Sequence, residues 1–166
     1  MTHSGICYPF ETPPVEGEAT TIADGVLWMR LPLPMALDHV IVFAFDDGDS
    51  WTILDTGFAS KRNKAIWETL LAGPLRGKPV RRLIVTHHHP DHVGLAGWFM
   101  AKGAELLMPR TGWLMARMLT LDEQPTYTDE ALAFYKRAGM SDEELAHRCT
   151  ERPFNFADCV TPLPLG

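Results

Sequence analysis

The chain has 166 residues, with 15 Lys and Arg against 21 Asp and Glu and a formal net charge of −6. That length is one ordinary domain or one large piece of a bigger one, and it can bury a core without disulfides. The acidic balance argues against a broad phosphate-binding surface, so no nucleic-acid partner is expected.

Residues 1–20 are rich in Pro and Glu, without a period, and read as an extended arm lying on the surface. From Val26 the pattern turns β-like: Val26 to Leu31 alternates loosely, and Pro32 and Pro34 end the run. His39 to Phe45 is a continuous β-branched and aromatic stretch, which predicts a strand buried on both faces. Asp46-Asp47-Gly48-Asp49 is a turn, and Trp51 to Leu54 completes a hairpin that runs into Asp55-Thr56-Gly57. Ser60 predicts the N-cap of a helix from Lys61 to Leu71, stopped by Gly73-Pro74.

Arg82 to Thr86 reads as a short buried strand, His87 to Val93 as a loop, Gly94 to Lys102 as a short helix, and Glu105 to Met108 as a strand ended by Pro109. The tail is different. Helices are predicted over Thr111 to Leu121 and Asp129 to Ala138, and Ser141 with Glu144 forms a capping box for a third. Three helices in a row suggest an inserted helical cap over residues 110–152. Residues 153–166 then read as the approach to another strand.

No apolar run of about 18 residues exists, so no membrane-spanning helix is expected. The first ten residues lack the cationic and apolar regions of a signal peptide. Cys7, Cys149 and Cys159 share no metal-type spacing and read as free thiols, which points to the cytoplasm.

Four of the seven histidines, His87, His88, His89 and His92, fall within six residues, together with Asp91. Imidazole nitrogens and a carboxylate are donors for Zn²⁺ or Fe²⁺. In an extended backbone, residues two apart point to the same side, so His87 and His89 can reach one ion while His88 points away. Asp91 and His92 follow across Pro90 and can serve a second ion. The position at the C-terminal end of a strand is where α/β folds place their sites. The competing reading is a histidine-rich surface loop that binds metals adventitiously.

His87-x-His89-x-Asp91-His92 after an apolar strand, with Leu54-Asp55-Thr56-Gly57 upstream, resembles the two motifs of the metallo-beta-lactamase fold superfamily over residues 21–109. The resemblance implies an α/β chain forming the N-terminal part of an αββα sandwich with a helical insertion. It implies two Zn²⁺ sites, His87 and His89 holding the first ion and Asp91 and His92 the second. Asp91 would also orient the nucleophile, a metal-bound hydroxide, and Asp55 would steady a ligand from behind. The ordinary alternative for Asp55 is a turn-capping aspartate.

The activity implied is hydrolysis of a small ester, thioester or lactone. An iron-dependent oxidoreductase of the same fold, resembling persulfide dioxygenases, and a non-catalytic fragment are the alternatives. The superfamily draws further ligands from its second half. Here the only later histidine, His147, falls in a predicted helix and reads as solvated, and Asp158 has no accompanying Gly-His pair. The chain is therefore expected to be the N-terminal half of a longer protein, with weakened or empty metal sites. By itself it is expected to expose an apolar sheet face and to form a homodimer.

Overall fold

The computed structural model describes residues 8–164. Four strands, β1 (Thr20–Ala23), β2 (Val26–Pro32), β3 (His39–Asp46) and β4 (Trp51–Leu54), form an antiparallel meander. Helix α1 (Lys61–Ala72) crosses over to β5 (Val80–Ile84), which pairs parallel to β4. Two short helices, α2 (Pro90–Val93) and α3 (Ala96–Met100), lead to β6 (Glu105–Leu107), parallel to β5. The six strands lie in the sheet in chain order. Helices α4 (Arg110–Leu121), α5 (Asp129–Arg137) and α6 (Asp142–Arg148) follow, and a 3-10 turn spans Phe156–Asp158.

The core lies on one face of the sheet. Met29, Leu31, Val40, Val42, Ala44, Ile53 and Leu83 alternate inward and join Ile66, Trp67 and Leu70 of α1 and Phe99 of α3 in one buried cluster. Ser60 caps α1 by accepting a hydrogen bond from the Asn63 N–H, as its position before the apolar stripe predicts. Trp67 packs edge-on against Phe99, 4.9 Å between ring centroids, and its indole N–H donates to the Thr56 carbonyl at 2.8 Å. Trp67→Phe keeps the ring packing and strands that carbonyl. A loss of about 2 kcal/mol in urea unfolding is expected, and an unchanged midpoint would show that the bond carries no weight.

The opposite face is less covered, which corrects the expectation for the third strand. In β3 burial alternates, with Val40, Val42 and Ala44 buried while Ile41 is 40% exposed. Ile84 on β5 and Leu107 on β6 share this outer face and are 39% and 42% exposed. The apolar sheet face expected of the chain is thus present. From the N-terminal arm, Phe10 reaches it and lies 5.8 Å from the Trp28 ring. Glu16 of the same arm pairs with Arg62 at 2.7 Å. Where the arm ends, Thr20–Ala23 pairs with β2 as an edge strand.

Other boundaries shift. The residues read as a loop after His87 include α2, started by Pro90, whose fixed φ and missing N–H suit a first helical position. The short helix after it spans only Ala96–Met100. Helix α6 carries the expected capping box, Ser141 and Glu144 each bonding the other's backbone N–H. Helix α4 buries only Gly112 and Ala116, so its stripe of Leu114, Met118 and Leu121 faces outward instead of packing.

Val160 to Pro164 forms no strand. Pro162 and Pro164 cannot donate to a ladder, and the segment instead packs on the core through Val160 and Leu163. Thr161 fastens it, its N–H and hydroxyl both donating to the Gly94 carbonyl at 2.7 and 2.8 Å. Residues 165 and 166 lie outside the described range.

Among the described residues no helix is long and apolar enough to cross a membrane. Cys149 is exposed, Cys159 is buried, and the two are not joined; Cys7 lies outside the described residues. Burial pushes the Cys159 thiol up to about 11, so this thiol is inert at neutral pH.

Candidate metal centre

The two motifs meet at the C-terminal ends of neighbouring parallel strands. Asp55-Thr56-Gly57 leaves β4, and Thr86-His87 leaves β5. The Asp55 N–H donates to the Ile84 carbonyl at 2.9 Å, which continues the ladder by one bond. Asp55 has a φ of +59°, a left-handed backbone rare for a non-glycine residue, and Gly57 follows at +79°. This bend turns the Asp55 side chain under the histidine loop, where it is 5% exposed.

Thr56 ties the two motifs together. Its N–H and its hydroxyl both donate to the His92 carbonyl at 2.8 Å, and its hydroxyl accepts from the Leu95 N–H at 3.1 Å. Gly94 sits in the same seam: a Cβ there would lie 2.4 Å from both the Gly57 and the Pro90 carbonyl oxygens. On the other side, Gly112 in the first turn of α4 approaches the backbone of His87 and His88, at 4.0 and 3.8 Å from an added Cβ.

Three imidazoles converge. The His87 ring centroid is 4.1 Å from that of His92 and 4.5 Å from that of His89. The His88 ring stands edge-on to His89 at 5.0 Å. His92 Nε2 lies 3.2 Å from an Asp91 carboxylate oxygen, and His92 Nδ1 lies 2.8 Å from Asp55 Oδ2. Asp55 also accepts from the Thr86 N–H at 2.8 Å and from the Thr86 hydroxyl at 2.9 Å.

The electrostatics follow from these contacts. Burial pushes the Asp55 carboxyl up, but the hydrogen bonds from His92 and Thr86 outweigh it and hold the group below the usual carboxylate value. His92 is raised, chiefly by its hydrogen bond to Asp55. His87 is lowered, first by burial and then by the neighbouring His92 and His89 rings.

Among the described residues no three His, Cys, Asp or Glu side chains are arranged as a ready cation cage. Asp91 and His92 engage each other instead of one shared point. By chemistry the donors do fit a divalent ion of the zinc or iron kind, since neutral imidazole nitrogen and carboxylate are the ligands those ions take. The two later candidates are engaged elsewhere: Asp158 pairs with Arg152, and exposed His147 lies 3.5 Å from Glu151.

The family model described as "Metallo-beta-lactamase superfamily" matches residues 37–128, which hold both motifs and the three convergent rings. The chain belongs to the metallo-beta-lactamase superfamily. A beta-lactamase domain protein from Burkholderia ambifaria is 31% identical, with a TM-score of 0.69 over 95% of this chain and 48% of that one. A metallo-beta-lactamase family protein from Thermus thermophilus is 23% identical, with a TM-score of 0.63 over 88% of this chain and 47% of that one, and it shows the fold. A curated Bacillus subtilis (strain 168) protein named "Probable metallo-hydrolase YqjP" is 35% identical over 77 residues, 46% of this chain and 24% of its own length. The chain thus spans about half the length of these superfamily structures and a quarter of the curated relative.

The sequence alone assigns no role to Thr56, Thr86 or Gly94. Their signal is position alone, since each flanks a motif residue and a hydroxyl or a missing side chain there has no use in a solvated loop.

Proposed function

We propose that this chain supplies the metal-binding half of a metal-dependent hydrolase that cleaves a small ester, thioester or lactone. The observation that carries the reading is the meeting of His87, His89 and His92 above one buried carboxylate, Asp55. An adventitious surface loop has no reason to hold a strained, buried aspartate beneath it.

In this reading His87 and His89 hold one zinc ion, and Asp91 and His92 contribute to a second, with Fe²⁺ as the competing metal. Bound there, the metal supplies Lewis acidity to a substrate carbonyl. The chain's own residues do the rest. Asp55 accepts from His92 Nδ1 and so directs Nε2, now 3.2 Å from an Asp91 oxygen, toward the position a metal would take. The Asp91 carboxylate accepts a hydrogen bond from the attacking water and orients it. Helix α4 begins against the histidine loop through Gly112, while its stripe of Leu114, Met118 and Leu121 lies on the opposite, exposed side of the helix. A net charge of −6 supports neither nucleic acid nor an anionic membrane as partner. A cytoplasmic location belongs to the same proposal, and for the chain by itself so does a homodimer formed through the open sheet face.

Metal analysis of protein purified without added metal, with ester, thioester and lactone assays on the intact natural protein, tests the reading. Bound zinc and turnover of one of these classes is the expected result. Stoichiometric iron with oxygen uptake on a persulfide would overturn it. His88→Ala is expected to leave turnover within about twofold, as for a surface substitution. A loss comparable to that of His87→Ala would mean that the wrong rings have been assigned.

A further inference from the structure

We propose that Thr86 is a positioning residue whose hydroxyl fixes the proton of His87 on Nδ1, leaving Nε2 as the ring's free donor atom. The inference deepens the metal-binding reading and rests on it for its functional consequence, though not for the proton assignment itself.

Hydrogen-bond direction decides where the proton lies. Thr86 Oγ1 lies 2.9 Å from Asp55 Oδ2, 3.1 Å from Asp55 Oδ1 and 3.0 Å from His87 Nδ1. A hydroxyl carries one proton and an ionised carboxylate carries none. The Thr86 proton must therefore point at Asp55, because otherwise two oxygen lone pairs would face each other at 2.9 Å. The hydroxyl is left to act as acceptor toward His87, so the proton between them belongs to Nδ1. Asp55 settles His92 in the same way but directly, Nδ1 to Oδ2 at 2.8 Å. One buried carboxylate thus holds the Nδ1 proton of two rings, one directly and one through a threonine hydroxyl.

The Thr86 N–H also donates to Asp55 Oδ1 at 2.8 Å, which holds the hydroxyl in place. Valine has nearly the shape of threonine but offers His87 no acceptor. Serine keeps the acceptor and loses only a methyl group.

The test reads the ring directly. Long-range nitrogen–proton correlation spectra of the metal-free protein, at a pH where His87 is neutral, report which nitrogen carries the proton. Wild type and Thr86→Ser are expected to show the Nδ1–H form, and Thr86→Val to lose it. Zinc affinity, measured by competition with a chelating dye, is expected to fall on the order of tenfold to a hundredfold in Thr86→Val and to be restored in Thr86→Ser.

The Nε2–H form in wild type would overturn the proposal even if the valine variant failed to fold. So would an unchanged proton position in Thr86→Val. If the proton moves as expected while His87→Ala leaves zinc affinity untouched, the Thr86 assignment stands and the metal-binding reading falls.

Discussion

Replacing either His87 or His89 by Ala is expected to abolish metal-dependent turnover while the fold survives. The two rings belong to the convergent set, and neither is a core residue. Loss of a direct donor atom costs more than loss of the group behind it, for which tenfold to a hundredfold is usual, so a fall beyond about a hundredfold is expected. The melting temperature of the metal-free variants should stay near that of the wild type, because surface substitutions change stability by about 0.5 kcal/mol or less. Parallel assays of turnover and thermal unfolding check both parts. Full activity in either variant would end the assignment of that ring.

Gly94→Ala is expected to be the most damaging single change to the fold around the site. The added methyl would meet the Gly57 and Pro90 carbonyl oxygens at 2.4 Å and the Ala59 nitrogen at 2.7 Å. All three are backbone atoms, so no rotamer change can relieve the contact. The turn of α2 would be pushed off the Asp-Thr-Gly loop, straining the bonds from Thr56 to the His92 carbonyl and from Thr161 to the Gly94 carbonyl. Overpacking of this kind costs about 3 kcal/mol or more, which for a chain of this size lowers the melting temperature by roughly 10 °C. A variant that melts with the wild type would show that the seam between the motifs is soft.

The hairpin strands β2 to β4, the first helix and its cap, and the α6 capping box were readable because each rests on local chemistry, whereas β5 lies at Val80–Ile84, two residues before the Arg82–Thr86 run. The contact between Asp55 and the histidine motif was readable only through the family resemblance, since 37 residues separate Asp55 from His92. Three things were not readable. Strand β1 is short and lacks a strong apolar run, and only its pairing with β2 makes it a strand.

The apolar run of β3 does not say whether protein covers its second face, and Ile41 lies open. Residues 160–164 look strand-like in composition, yet their prolines and the bond from Thr161 to Gly94 make them a packed irregular segment. At the site, sequence identified the groups that could donate to a metal. It could not identify Thr56 and Thr86, whose hydroxyls act on partners brought near by the fold.

Uptake of a divalent ion by the His87, His89 and His92 cluster, with Asp91, is the property on which the proposed chemistry depends. Calorimetric titration of zinc into the metal-stripped protein, beside the His87→Ala/His89→Ala double variant, measures this most directly. Saturable zinc binding in the wild type that loses the first ion in the double variant is the predicted result. Zinc isotherms that superimpose for the two proteins would contradict it.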